Sequence, residues 1–139
     1  MESKLIIIYI ALISLLSTTS FAQTNAMKDV KPDSTNFENI HVKKLSTDSL
    51  STSFAIWIKL KVKMHKHVDH TEHVYVLEGK GSMTVGSEVI PIKKGDLVTI
   101  PKDTWHGVDV TSKKVLKVIS VQSPQFLGVD RVFKSVENP

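Results

Sequence analysis

The chain contains no cysteine. That absence excludes a disulfide framework, a thiolate metal site and a thiol nucleophile. Aromatic residues are scarce, at 6% of 139 residues, so a core must rest on Val, Ile and Leu, which with Thr favour strands. Arginine is scarcer still: Arg131 is the only one, and the other basic residues are lysines scattered in ones and twos. Nucleic-acid recognition leans on arginine forks and stacking aromatics. Neither is present in number, so the formal net charge of +4 does not point to a nucleic-acid partner. Apolar residues at helical spacing are also missing from every longer stretch, and no amphipathic helix is expected.

The longest apolar run lies at the start. Leu5 to Leu16 is almost unbroken, preceded by Lys4 and followed by Ser17-Thr18-Thr19-Ser20-Phe21-Ala22. It falls short of the roughly 20 residues that span a bilayer, and Ser20-x-Ala22 supplies the small residues of a cleavage site. Residues 1–22 therefore read as a secretory signal peptide cut after Ala22, with export to a periplasm or the outside and no membrane association afterwards. With no cysteine after the cut, lipoprotein anchoring is excluded. Residues 23–40 are polar and interrupted by Pro32, which suggests a flexible extension.

From His41 onward, short apolar runs alternate with turn residues. His41–Leu45 reads as a first strand, Phe54–His67 as a long alternating run, and Glu72–Leu77 as another. Gly86-Ser87 is a two-residue hairpin signal between Ser82–Val85 and Glu88–Ile92. Leu97–Ile100, Trp105–Val110 and Val115–Val121 follow, with Pro124 and Gly128 breaking the tail. About eight or nine strands without a helix indicate an all-β sandwich or barrel.

The histidines carry the chemistry. His65, His67, His70 and His73 are clustered, with Glu72 among them. Residues at i and i+2 of a strand share a face, so His65 and His67 can share one ion, and Glu72 can join them across a tight turn. Imidazole and carboxylate without thiolate suit Fe, Mn, Ni, Co, Cu or Zn. Spacing alone leaves a surface histidine run as the competing reading. Gly79-Lys80-Gly81 is flanked by strands rather than opening a helix, so it is no nucleotide loop. No serine stands in a nucleophile-elbow context.

His65-Lys66-His67-Val68-Asp69-His70-Thr71-Glu72 followed by Gly79 resembles the first motif of the cupin family. Gly95, Pro101, Asp103 and His106 resemble the second. The likeness covers about residues 54–121 and implies a small jelly-roll barrel, a double-stranded β-helix, as a single domain over 41–139. It further implies one divalent transition metal ion held by His65, His67, Glu72 and His106. Three positions depart from the pattern: Lys59 and Asp103 replace glycines, and Val110 replaces an asparagine. None removes a ligand, and Asp103 still tolerates a left-handed turn.

One conflict is physical. Ile56, Ile58, Leu60, Val62 and Met64 share one parity, whereas Lys59, Lys61 and Lys63 share the other with His65 and His67. A single straight strand would put the metal ligands on the lysine face. Either a bulge or break near 59–63 switches faces, or the lysines stand at the barrel mouth. His73 is expected outside the barrel, opposite Glu72. His70 is a candidate for orienting a ligand or transferring a proton, or else a solvated turn residue. Tyr75 and Trp105 are expected to serve packing. Two functions remain open: a metal-dependent enzyme of dioxygenase, isomerase or lyase type acting on a small, acidic or sugar-like molecule, and a non-catalytic ligand-binding or metal-storage protein. Open sheet edges suggest a homodimer.

Overall fold

The computed structural model describes residues 26–135. The expected signal peptide, the start of the 23–40 extension and residues 136–139 lie outside them. The chain divides into two compact units after Val30. Of the first, only a turn is described, closed by Asp29 N donating to Ala26 O at 2.8 Å.

The second unit is built from ten strands, with no helix among the described residues. They are β1 (Ile40–Thr47), β2 (Thr52–Ile58), β3 (Lys61–His67), β4 (Thr71–Glu78), β5 (Lys80–Val85), β6 (Glu88–Lys93), β7 (Leu97–Ile100), β8 (His106–Val110), β9 (Leu116–Ser123) and β10 (Arg131–Phe133). Two antiparallel five-stranded sheets result, in the orders β1-β2-β9-β4-β7 and β10-β3-β8-β5-β6. This is the all-β architecture expected from the strand-and-turn pattern, in the jelly-roll form that the cupin resemblance implies. Gly86, at φ 62°, makes the β5–β6 hairpin turn.

The two sheets face one another because their strands alternate. On β4, Glu72, Val74 and Val76 point inward, while Tyr75 is 44% exposed. Val74, Val76, Met83, Ile92, Ile100, Leu116 and Val118 meet between the sheets. Full burial of such a side chain contributes roughly 1.5–3 kcal/mol. Gly79, at φ 83°, closes the β4–β5 turn against β9. A Cβ there would stand 2.8 Å from Val115 O and 2.9 Å from Leu116 Cα, so no side chain fits.

The run from Phe54 to His67 is not one strand. It breaks at Lys59-Leu60, and β2 and β3 belong to different sheets. A second irregularity follows: Val62 pairs with Val108 and His65 with His106, so two residues of β3 oppose Gly107 alone. This bulge puts Val62 and His65 on the same side despite their odd spacing. Both expected alternatives of break and bulge are therefore present, and the lysine conflict disappears. Lys61 and Lys63 are exposed, and Lys59 donates to Phe37 O with its ammonium 4.2 Å from the Phe37 ring centroid. The segment before β1 is tied down as well. Asn39 Nδ2 donates to Lys61 O at 2.8 Å, and Asn39 Oδ1 accepts from Leu60 N and Lys61 N at 3.0 and 3.1 Å.

Candidate metal centre

His65, His67, Glu72 and His106 are all buried, and one ligand atom from each lies within 4.8 Å of the others. They come from β3, β4 and β8, so the group forms only when both sheets have closed. The turn leading to His106 is held in place. Asp103 has φ 57°, its N–H donates to His67 O at 2.6 Å, and Lys66 Nζ donates to its carboxylate. The left-handed geometry that glycine would supply is thus adopted by Asp103.

The imidazoles are oriented by backbone carbonyls. His65 Nδ1–H donates to Lys63 O at 2.9 Å and His106 Nδ1–H to Thr104 O at 2.8 Å. A carbonyl only accepts, so both rings carry their proton on Nδ1 and offer a lone pair at Nε2. Ser120 Oγ donates to Glu72 Oε1. Glu72 Oε2 lies 3.1 Å from His106 Nε2 and 3.8 Å from His67 Nε2. Neither ring nitrogen of His67 has a hydrogen-bond partner, and His106 Nε2 is not aligned for one with Glu72.

The result is a cluster of buried lone pairs. Protonation is a poor remedy: burial, foremost, pushes the pKa of His65 and His67 down to about 4. Burial would raise the Glu72 carboxyl, but the Ser120 hydrogen bond and the polar surroundings of His106 and His67 outweigh it and hold it at about 2. An anion and three imidazole lone pairs converging in a buried site fit a divalent cation. The three imidazoles and one carboxylate could together hold such an ion.

The remaining histidines separate clearly. His73 lies on the outer face of β4, its Nδ1 3.1 Å from Thr99 Oγ1. His70 is not a solvated turn residue: it is 5% exposed, bonded through Nδ1 to Asp130 and through Nε2 to Gln125 O at 2.9 Å. With both nitrogens engaged it is unsuited to proton transfer. Burial would lower its pKa, but the Asp130 and Gln125 hydrogen bonds and the Asp130 charge outweigh that and raise it. Tyr75 is on the outer surface, and Trp105 lies beneath the Lys66 ammonium at 5.2 Å.

The structure adds residues that the motifs do not contain. Ser120 and Gln122 are buried, and Gln122 Oε1 has no partner. Both share the parity of Leu116 and Val118 on β9, and polar residues on an apolar face were a legible signal. Asp130, Arg131 and Phe133 are brought in by β10, which pairs Arg131 with His67 and Phe133 with His65. A three-residue strand after Pro124 and Gly128 leaves no periodic trace.

The cupin-domain family model matches residues 59–122. An uncharacterized protein of Methanocaldococcus jannaschii is 36% identical over 70 residues, 50% of this chain and 56% of that protein. An L-ectoine synthase of Aliivibrio fischeri is 32% identical over 89 residues, 62% of this chain and 70% of that enzyme. A solved protein of Klebsiella pneumoniae with a double-stranded β-helix domain superposes with a TM-score of 0.69 at 14% identity, covering 84% of this chain and 100% of its own. The chain belongs to the cupin superfamily. It spans about half the length of the Methanocaldococcus protein, and 15% of a Salmonella typhimurium mannose-1-phosphate guanylyltransferase that it also matches.

Proposed function

We propose that this cupin is an exported protein that acts on a small molecule at a metal ion held by His65, His67, Glu72 and His106. The observation that carries the reading is His67, whose two ring nitrogens are buried without a partner beside an anion. A bound ion supplies Lewis-acid polarisation of a ligand oxygen. The chain's own part is to hold the lone pairs converged, through the Lys63, Thr104 and Ser120 hydrogen bonds, and to line the adjoining space with Ile56, Val62 and Val74 so that water is restricted. The enzyme name of the ectoine synthase relative supports catalysis. The decisive measurement is metal content of untagged protein, followed by oxygen-consumption and small-molecule turnover screens. A metal-free protein after reconstitution with each candidate ion would sink the proposal.

A non-catalytic binding role has one observation in its favour: His70, the candidate acid or base of the first motif, has both nitrogens engaged. Recovery of an unchanged small molecule from metal-loaded protein, with no turnover in the screens, would select it.

Export rests on the Leu5–Leu16 run and Ser20-x-Ala22. A periplasmic or extracellular product whose mass begins at Gln23 is expected, and an uncleaved cytoplasmic chain would contradict it. We also propose a homodimer, because β1 is an edge strand whose outer side is left without a paired strand. Light scattering that shows only monomer at tens of micromolar would reject that assembly.

A further inference from the structure

Arg131 stands out by composition and by place. It is the only arginine in the chain, and it lines the same cavity as His65, Glu72 and His106. The register explains how. β10 pairs Arg131 with His67 and Phe133 with His65, so both side chains project from the face that carries the metal-site histidines. Directly opposed residues on one face have Cβ atoms about 5 Å apart. Phe133 confirms the direction, its ring centroid 5.9 Å from that of His65.

The guanidinium has no carboxylate partner among the described residues. The neighbouring Asp130 is committed to the backbone of Val68 and Asp69 and to His70. Phe126 gives the guanidinium an apolar support, 5.9 Å from its ring centroid. Arg131 is exposed while lining the cavity, so it stands where the cavity opens to solvent. The other walls are apolar, including Val42, Ile56, Val62 and Val118.

Resting on the metal-centre reading above, we propose that Arg131 is the anchor for a small organic acid, taking its carboxylate while the rest of the molecule extends along the apolar wall toward the metal. A planar guanidinium fork matches a carboxylate with two parallel hydrogen bonds, which a lysine ammonium does not. Among many lysines the chain places its one arginine here. One cation on an otherwise apolar wall suits a monoanion better than a phosphate dianion, for which no second free cation lines the cavity among the described residues.

Because there is a single arginine, its Nε–H gives one resonance in a nitrogen–proton NMR spectrum, readable without loss of fold. The probes are 3-hydroxybutyrate, its neutral amide and inorganic phosphate, added to cobalt-loaded protein for affinity and to zinc-loaded protein for NMR. The expected result is a saturable Nε–H shift with the acid alone. Arg131→Ala should weaken the acid's affinity at least tenfold, with Arg131→Lys in between and metal per chain unchanged in both. Equal binding of acid and amide, preference for phosphate, or unchanged affinity in Arg131→Ala would overturn the anchor. Failure of the metal centre would show separately, as loss of stoichiometric cobalt or zinc in the wild type.

Discussion

Asp130 and His70, sixty positions apart in sequence, form a hydrogen-bonded ion pair that closes the turn between β3 and β4. The same carboxylate accepts from Val68 N at 3.0 Å and Asp69 N at 3.1 Å. It also lies 3.8 Å from His67 Nδ1, beyond hydrogen-bond reach, so the side chain that holds the turn also sets its charge behind that imidazole. Hydrogen bonds to charged groups contribute about 1.5–3 kcal/mol. Asp130→Asn should destabilise the fold by about that amount and weaken metal binding through His67. Denaturant melts and metal titration check it, and an unchanged midpoint with unchanged metal affinity would contradict it.

Stability should depend on pH in two opposed ways. In metal-free protein His65 and His67 resist protonation down to about 4, whereas the unfolded chain takes protons near pH 6.5. The unfolded state binds more protons between those values, so stability falls as pH drops from about 6.5 toward 4. His70 has the opposite sign. Its pKa is raised, so its contribution is present below the unfolded pKa and is lost as pH rises through the folded one. With chelator present, the melting temperature should fall between pH 7.5 and 5, and fall more steeply in His70→Gln. A melting temperature that rises on acidification would contradict the assignment.

The metal itself separates the two halves of the histidine cluster. His106→Ala should lose far more bound metal per chain after dialysis than His73→Ala, because His106 faces Glu72 and His73 faces outward. Chelator should lower the melting temperature of the wild type and leave that of His106→Ala nearly unchanged. Equal loss from both variants would restore the reading of a loose surface histidine run.

Gly107 tests the bulge. A Cβ there would stand 2.9 Å from Val62 O and 3.0 Å from Met64 Sδ. The first neighbour is backbone, so β3 must move. Gly107→Ala should cost about 1–3 kcal/mol, the range for overpacked sites, and reduce metal affinity by displacing His65. Calorimetry of folding and of metal binding measures both, and wild-type values for each would mean that β3 yields freely.

The resemblance to the cupin motifs is what added His106 to the site; the sequence alone determined the strand content, the turns at Gly79, Gly86 and Asp103, and the proximity of His65, His67 and Glu72. These depend on local rules: side-chain parity, left-handed turn residues and donor chemistry. It could not decide which face the metal histidines occupy, because parity is reset wherever a strand breaks or bulges. The break at Lys59-Leu60 and the bulge opposite Gly107 exist only when β2 and β3 join different sheets and β8 presses on β3. Nor could it give His70 a partner. Arg131 opens a short strand with no period of its own and Asp130 directly precedes it; that strand is placed by pairing with β3, and pairing between distant segments is a property of the closed barrel.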